Sequence, residues 1–481
     1  MSEIDLSAGE VEDIAVSRAE AQPERLKGDL TQGPILKTLV AFSIPLLIGN
    51  VVQTLNGSIN TVWVGRLLGE EALAATTNAN GIMFLLFAVT FGFTMASMVR
   101  IGQHFGARNL DAARRSFGSG IGFSVSLSVL MALLGWIFAP ALLRLLATPA
   151  GSFDMANIYL RVLFLSIPFG TFNMVLSMGL RSAGEAKTPM LAMIVTLVLD
   201  IVLNPLLIRG IGPVPPLGIA GSAIASFFAG MGGMLLQLWV IYRRDLPIRL
   251  RGSELGYLKP ARAELTYTVT KGLPMGAQML LVSSAQMVVI GLVNREGIDT
   301  TAAYGASMQL WNYLQMPAFA VASGVSAMVA QNIGAGQHER VGKVTNAGLV
   351  STLTMTAVLS ALLTLFAAPL LGLFLGGSSP AVPLGVHIQH VVTWSYLAMA
   401  VTMIVGGTMR AYGVVWIPLI LGFISFYPVR LGFYFLAYPT LGSEALWWSF
   451  PVASLFSVVA TSVLYLRGKW RGQRDQAYAT G

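Results

Sequence analysis

The sequence predicts an all-α integral membrane protein with twelve transmembrane helices in two pseudo-symmetric lobes of six. Three observations lead to this fold class. The composition is 55% hydrophobic and only 11% charged, whereas soluble domains carry about 25% charged residues. Long apolar runs alternate with charged or turn-rich breaks, and short motifs recur half a chain apart.

Twelve apolar runs are long enough to cross a bilayer, which takes about 20 residues of helix. No alternation typical of strands competes with them. Several runs exceed one crossing, so tilted or protruding helices are expected. The predicted spans are 36–65, 72–99, 116–146, 155–180, 188–208, 217–241, 268–294, 302–333, 345–375, 386–409, 414–438 and 444–466.

The distribution of Lys and Arg predicts the orientation of these spans. With the N-terminus inside, the loops on that side and the two tails hold 24 of the 30 basic residues. The 242–271 connection alone contributes seven, whereas the opposite loops hold only Arg66, Arg209 and Arg295. Basic residues concentrate in cytoplasmic loops, so both termini are expected in the cytoplasm. Three further arginines lie in or near spans: Arg144, Arg161 and Arg430.

Three pairs of similar motifs indicate that the chain is duplicated. They are SIPLLIG at 43–49 and GLPMGAQ at 272–278, GQHFGAR at 102–108 and AQNIGAG at 330–336, and RSAGEAKTP at 181–189 and RAYGVVWIP at 410–418. Each pair is separated by 228 or 229 residues. Because six is even, the halves have the same orientation, which predicts a pseudo-twofold axis along the membrane normal and a central cleft between lobes.

This duplication divides the chain into five predicted regions. The first 30 residues are polar and lack the basic and apolar segments of a signal peptide, so a disordered cytoplasmic tail is expected. The regions are an N-terminal tail (1–35), a first lobe (36–241), a cytoplasmic linker (242–267), a second lobe (268–466) and a C-terminal tail (467–481).

Several classes of function find no support in the sequence. The absence of cysteine excludes disulfides and thiolate metal sites. The four histidines lack zinc-peptidase spacing, and no Ser-His-Asp order or nucleotide-binding loop is present. His387 and His390 are three residues apart at a span end, with no acid nearby in the sequence. We therefore expect no enzyme activity and no metal or other cofactor. The net charge of +8 reflects cytoplasmic loops and not nucleic-acid binding.

Asp200 is the only carboxylate placed deep inside a predicted span, and Asn204 follows one helical turn later. An ionised carboxylate in hydrocarbon is costly, so such residues generally have a function. Low dielectric favours the protonated form, which suits a group that accepts and releases protons. The alternative is a structural aspartate that is hydrogen-bonded to a neighbouring helix.

Polar side chains also mark one face of the first span, where Gln53, Asn56 and Asn60 follow each other at helical spacing. They either bond neighbouring helices or line a cavity that reaches Asp200. The second lobe offers amides and aromatic rings that suit a polar-aromatic substrate wall. These residues are Gln278, Gln286, Gln309, Asn312, Gln315, Trp311 and Tyr313.

The chain resembles the multidrug and toxic compound extrusion (MATE) transporters over about 35–470. The resemblance rests on IPLLIGNVVQTLNGSINTVWVGRLLGEEALAA from Ile44, GQHFGARNLDAARR from Gly102, YLRVL from Tyr159, LRSAGEAKTPM from Leu180, GAGQHERV from Gly334 and the repeat at 410–418. It implies a V-shaped, two-lobed antiporter of twelve helices. Such transporters export organic, often cationic compounds against an inward flow of protons or sodium.

The first lobe is similar to the DNA-damage-inducible (DinF-like) branch of that family. The branch places acids in spans one and five, which match Asn60 and Asn204 here. The amide one turn before the span-five acid matches Asp200, so acid and amide have exchanged places and the span-one acid is missing. At or near other polar positions of that branch's lobe, this chain has Tyr159, Asn173, Ser177 and Ser226.

The resemblance leads to the expectation of a monomeric, proton-coupled antiporter in a bacterial inner membrane, acting on small organic cations or drugs. Two alternatives stay open. A sodium-coupled antiporter would bind its ion with Asp200, Asn60, Asn204 and backbone carbonyls. A flippase for lipid-linked precursors would usually have more basic residues in its cavity than this chain has.

Overall fold

The computed structural model describes residues 28–146, 148–210 and 215–468, and these form helices without any β-strand. The N-lobe contains α1 (Ile35–Leu68), α2 (Glu70–Gly106), α3 (Leu110–Leu145), α4 (Ala150–Ser182), α5 (Lys187–Arg209) and α6 (Gly218–Arg243). The C-lobe contains α7 (Arg262–Arg295), α8 (Ile298–Gly334), α9 (His338–Leu365), α10 (Ala367–Leu375), α11 (Ala381–Val392), α12 (Ser395–Ala411), α13 (Trp416–Ile424), α14 (Arg430–Leu441) and α15 (Glu444–Arg467).

The helices account for the predicted spans. In the described part of the chain, eleven helical segments are individually long and apolar enough to cross a membrane. The twelfth span is the pair α11 and α12, which bends by 46°. Twelve spans and the all-helical fold class are therefore confirmed, and the chain is a multi-pass membrane protein.

Three spans that the sequence presents as continuous are broken in the C-lobe. The 345–375 run divides at Phe366 into α9 and α10, and the 386–409 run is the bent pair. The 414–438 run contains a π-helical segment, Ser425–Val429, between α13 and α14. Pro428 lies in that segment and cannot donate a main-chain hydrogen bond, which is a usual cause of such irregularity.

Equivalent turns in the two lobes share the same backbone geometry. Gly184 joins α4 to α5 with φ of +75°, and Gly413 joins α12 to α13 with φ of +76°. Glycine adopts this left-handed conformation without a steric penalty. The two glycines lie 229 residues apart in the repeated motif, so both repeats turn in the same way.

The lobes meet closely at the end of the bundle where α2 and α8 finish, here called the linker end. A Cβ on Gly106 would lie 1.9 Å from the main-chain oxygen of Gln331, and one on Gly334 would lie 1.8 Å from that of Gln103. Nearer mid-span, a Cβ on Gly92 would lie 2.3 Å from the nitrogen of Gly276. Small residues thus bring the backbone of α2 into direct contact with the backbones of α7 and α8.

The surface along which the two lobes touch is here called the seam. Two related hydrogen bonds join the lobes there. The Gln103 side-chain amide donates to the carbonyl of Ala411 at 2.7 Å, across from the N-lobe to the C-lobe. The Gln331 amide donates in the opposite direction to the carbonyl of Ser182, at 2.8 Å. The two glutamines are repeat equivalents, and so are the two residues that accept from them, Ser182 and Ala411; we call this arrangement the glutamine latch.

The expected disorder of the N-terminal tail is wrong for its last residues. Leu30 is buried on the seam, and its main-chain amide donates to Gln331 Oε1 at 2.8 Å. The Asn332 amide donates to the Leu30 carbonyl, and Arg340 donates to the carbonyl of Gly33. We call residues 30–33 the strap. Its partners in the C-lobe bind a leucine side chain and main-chain groups, which the polar composition of the tail did not reveal. The predicted tail segments 1–27 and 469–481 lie outside the described residues.

The linker packs on the N-lobe. Its 3-10 helix, Gly252–Leu258, brings Glu254 within 2.7 Å of Arg114 on α3. The Ser116 hydroxyl donates to Glu264, at the start of α7. Helix α7 thus begins at Arg262, before the predicted start of the second lobe at 268, because its first turn is fastened to α3.

Candidate functional site

A chain of hydrogen bonds joins α1, α5 and α6 inside the N-lobe. The Ser222 hydroxyl donates to Asn60 Oδ1 at 3.3 Å, and Asn60 Nδ2 donates to Ser226 Oγ at 2.9 Å. Ser226 in turn donates to Asp200 Oδ1 at 3.0 Å. The Asn204 amide donates to the Asp200 main-chain carbonyl at 3.2 Å. These five residues form the N-lobe polar cluster.

The local sequence explains why these side chains meet. Asp200 and Asn204 are four residues apart on α5, and Ser222 and Ser226 are four apart on α6, so each pair shares a helix face. The two helices pack closely, because a Cβ on Gly233 of α6 would lie 2.3 Å from the Thr196 hydroxyl of α5. Close packing therefore puts the serine hydroxyls within reach of the aspartate.

The N-lobe polar cluster contains more hydrogen-bond acceptors than donors. Asp200 and Asn204 are fully buried. Within the described ranges, Asp200 Oδ2 and Asn204 Oδ1 are buried without a hydrogen-bond partner, and so, outside the cluster, is Asn56 Oδ1 on α1. Buried acceptors without donors are rare and costly. A proton or a small cation would supply what these oxygens lack.

The other predicted N-lobe residues lie outside the N-lobe polar cluster. Gln53 is exposed on α1 and outside these hydrogen bonds, and Tyr159 is buried at the edge of the lobe's apolar core, close enough to Asp200 to interact with it electrostatically. Asn173 and Ser177 belong to a second polar group, centred on Gln237 of α6. Gln237 donates to Asn173 at 2.5 Å and accepts from Ser177 at 3.1 Å.

Two residues of these networks were missed in the sequence, Ser222 and Gln237. The signal for Ser222 was its spacing of four from Ser226, which places both on one face of α6. The signal for Gln237 was a single amide inside the apolar stretch MLLQLWV. Single amides in apolar helices commonly bond neighbouring helices.

The residues of the predicted C-lobe substrate wall differ in their exposure and partners. Trp311 is buried in the lobe core, where its indole N–H donates to Gln389 at 2.9 Å and to Thr393 at 3.1 Å. Aromatic rings pack around its indole. Trp311 therefore belongs to the lobe core. Gln309 is half-buried and donates to the exposed Tyr313 at 3.3 Å, and Gln278 is half-buried on α7.

Of the remaining C-lobe amides, two are hydrogen-bonded within the lobe and one is exposed. Gln286 donates to the Tyr304 hydroxyl at 2.7 Å, and Gln315 donates to the Trp311 carbonyl at 3.4 Å. Asn312 is exposed.

His387 does have an acid beside it, contrary to the sequence expectation. Glu444, which begins α15, lies 2.8 Å from His387 Nε2. The two residues are far apart in sequence and meet because α11 packs against α15. Among the described residues, no three His, Cys, Asp or Glu side chains form a group that could hold a metal ion.

Comparison with known proteins identifies the family. The MatE family model matches residues 45–206 and again residues 274–436. The chain belongs to the MatE family. The two matched segments begin 229 residues apart, which is the offset of the sequence repeats. The chain is therefore a membrane transporter of the MATE type.

Individual relatives cover most of the chain. It is 32% identical over 431 residues to the "Probable multidrug resistance protein YoeA" of Bacillus subtilis, covering 88% of this chain and 92% of that one. It is 27% identical to the "FAD transporter" of Shewanella oneidensis, covering 72% and 75%. A crystal structure of a MATE transporter in complex with MaL6 has the same fold, with a TM-score of 0.83 and 23% identity, covering 95% of this chain and all of that one.

Proposed function

We propose that this transporter exports organic cations in exchange for protons, and that Asp200 carries the exchanged proton. The observation behind this proposal is a fully buried mid-span carboxylate whose Oδ1 accepts from Ser226 and whose Oδ2 has no hydrogen-bond partner among the described residues. Within the described residues it is the only acid in the middle of a spanning helix. Relatives named as multidrug resistance proteins support export of drugs as the direction and substrate class.

The hydrogen bonds suggest how protonation acts. When Asp200 is ionised, Ser226 supports one oxygen and the other attracts positive charge. When a proton binds Oδ2, the new O–H can donate to an acceptor that lacks a partner, such as Asn204 Oδ1. The lobe then loses a negative charge and gains a hydrogen bond, so affinity for a cation falls.

This exclusion couples the two fluxes. A proton and an organic cation each reduce the affinity of the site for the other, and such coupling is reciprocal. Because Asp200 and Asn204 lie on α5, Ser226 on α6 and Asn60 on α1, protonation changes the bonds among three helices together. If the packing of these three helices changes with the bonds, the lobe has one arrangement with Asp200 ionised and another with Asp200 protonated.

The closed linker end fits one state of an alternating-access cycle. The glutamine latch and the glycine contacts hold the lobes together there. The basic linker and strap lie at the same end, which the positive-inside bias assigns to the cytoplasm. We therefore take the described arrangement as closed to the cytoplasm, with both termini on that side.

Sodium is the second candidate for the coupling ion. Asp200 Oδ2 and Asn204 Oδ1 are two buried oxygens, four residues apart on α5, without hydrogen-bond partners among the described residues, and a hard cation prefers several oxygen ligands. The observation against it is the single carboxylate of the cluster, which gives only one full negative charge.

The test is cation export from proteoliposomes, with ethidium as the probe. Wild type is expected to export it when a pH gradient alone is imposed, without sodium. Asp200→Asn should abolish this export. Asp154→Asn is the matched control, because Asp154 is an exposed acid near the start of α4, and it should export normally.

Three results would contradict the proposal. Export by wild type that requires a sodium gradient would assign the ion to sodium. Uphill export that survives in Asp200→Asn would leave Asp200 a structural residue. Equal loss in Asp154→Asn would show that removal of any acid damages the protein.

A further inference from the structure

The strap is bound by the C-lobe, whereas the two residues before it, Gly28 and Asp29, also reach the N-lobe. Main-chain groups of the strap form hydrogen bonds with three side chains: Gln331, Asn332 and Arg340. These side chains belong to α8 and α9. The segment that leads into α1 is therefore fastened to the opposite lobe.

Gly28 lies against the turn between α4 and α5 of the N-lobe. A Cβ on Gly28 would lie 1.9 Å from the main-chain oxygen of Ala183, and a Cβ on Gly184 would lie 1.9 Å from that of Gly28. The Gly28 carbonyl accepts a hydrogen bond from Gln331 of the C-lobe, at 3.3 Å. The N-lobe turn thus contacts Gly28 by packing, while the C-lobe binds it with a hydrogen bond.

Asp29 lies between arginines of the two lobes. In the turn after α2, Arg108 Nη2 is 3.9 Å from Asp29 Oδ2. At the start of α9, Arg340 is close enough to Asp29 to interact with it electrostatically. Asp29 Oδ1 accepts from the Thr31 amide at 2.8 Å, and the aspartate side chain is only 7% exposed. One carboxylate therefore faces a cation on each side of the seam.

Arg108 has a backbone conformation that is unusual for its residue type. Its φ is +59°, and Asp245 is the only other non-glycine residue with positive φ in the described part of the chain. The repeat places Gly336, with φ of +72°, at the equivalent position of the C-lobe. Glycine adopts this conformation without a steric penalty and arginine does not. Strain of this kind points to a function, and the contact with Asp29 provides one.

We infer that the Asp29–Arg108 pair is the contact that breaks when the lobes separate at the linker end, and that the strap then stays on the C-lobe. This inference rests on the proposed function, because alternating access requires the linker end to open. The C-lobe holds the segment by hydrogen bonds and a second arginine. The N-lobe holds it by one glycine contact and one ion pair, whose arginine is 42% exposed. Ion pairs with an exposed partner are weak, so the N-lobe contacts give way first.

Distances between pairs of spin labels test this separation in a protein that has no native cysteine. One label is placed on the strap at Gln32→Cys. The second is placed on the N-lobe at Lys187→Cys or on the C-lobe at Gln337→Cys, both of which are exposed. Double electron–electron resonance then gives the distance from the strap to each lobe.

Gly106→Ala serves to open the linker end, because its Cβ would lie 1.9 Å from the main-chain oxygen of Gln331. With this substitution, the strap–N-lobe pair should gain a second, longer distance, and the strap–C-lobe pair should keep a single distance. A longer distance in the strap–C-lobe pair would assign the strap to the N-lobe and overturn the inference. Unchanged distances in both pairs would overturn it as well.

Substitutions of Arg108 test the ion pair itself. Arg108→Gly removes the charge and also the backbone strain. It should raise the ratio of the longer to the shorter strap–N-lobe distance about 5-fold, the upper range for a partly exposed ion pair, without lowering the thermal unfolding midpoint. Arg108→Lys keeps the charge and should keep the ratio of the parent protein.

Asp245→Gly is the matched control. It replaces the other left-handed non-glycine residue and removes surface ion pairs with Arg249 and Arg251 in the linker, so the ratio should not change. Equal ratios in Arg108→Gly and Arg108→Lys would contradict a role for the ion pair. A lower unfolding midpoint in Arg108→Gly with an unchanged ratio would make Arg108 a structural residue.

Failure of the export proposal would look different. The distances are recorded without a gradient or a substrate. Sodium-dependent export, or export that survives in Asp200→Asn, would overturn the proposed coupling and leave these distances as they are.

Discussion

Replacing Gly106 with alanine is expected to push the lobes apart at the linker end. The new Cβ would lie 1.9 Å from the main-chain oxygen of Gln331, and real Cβ contacts essentially never fall below 3.0 Å. The helices must therefore separate by about 1 Å, since backbone atoms cannot rotate away. Overpacking of this kind costs about 1–3 kcal/mol. That cost corresponds to a shift of about 5- to 150-fold from closed to open seam.

The absence of cysteine provides a clean assay for this shift. Ser43 on α1 is 5% exposed and lies against Gly324 of α8, so Ser43→Cys places a single thiol inside the seam. Its labelling rate with a water-soluble maleimide then follows the open population. Gly106→Ala should raise the rate about 5- to 150-fold. Gly57→Ala, which meets no atom within 4 Å, should leave it unchanged. Equal rates in the two variants would refute the reasoning.

Three further substitutions test other parts of the structure. Gln331→Leu leaves latch and strap groups unpaired at a cost of about 1–3 kcal/mol, so labelling of the seam cysteine should accelerate; an unchanged rate would deny the latch a role. Gly135→Ala puts a Cβ 2.2 Å from an aromatic ring of α4 and should lower the thermal unfolding midpoint, whereas Gly170→Ala, with open space around it, should not; equal midpoints would contradict this packing. Trp311→Phe removes the donor to Gln389 and should cost about 1 kcal/mol of stability while export per folded protein stays normal; selective loss of export would restore its place in a substrate wall.

The sequence was sufficient for the spans because twenty-residue apolar runs have few other structures available to them. The breaks inside spans were harder to foresee. Pro428 is one of several prolines within helices, and others, such as Pro168 in α4, lie in uninterrupted helix. Whether a proline breaks a helix depends on what its neighbours supply to the freed carbonyls, and those neighbours come from distant parts of the chain.

Only part of the candidate site was predictable from the sequence. Asp200 stood out because a mid-span carboxylate is rare and costly. Its partner Ser226 could be proposed only from the family resemblance, and Ser222 from helical spacing. The strap residue Leu30 and the pairing of Glu444 with His387 had no local signal, because each depends on helices that meet only in the folded protein.

The measurement that tests the central claim most directly is proton release on substrate binding. Purified protein in weakly buffered detergent solution, at a pH where Asp200 is protonated, is mixed with tetraphenylphosphonium while the bulk pH is recorded. Wild type should release about one proton per bound cation, because the two compete through one carboxyl group. Asp200→Asn should bind the cation and release none. Equal proton release by the two proteins would contradict the account.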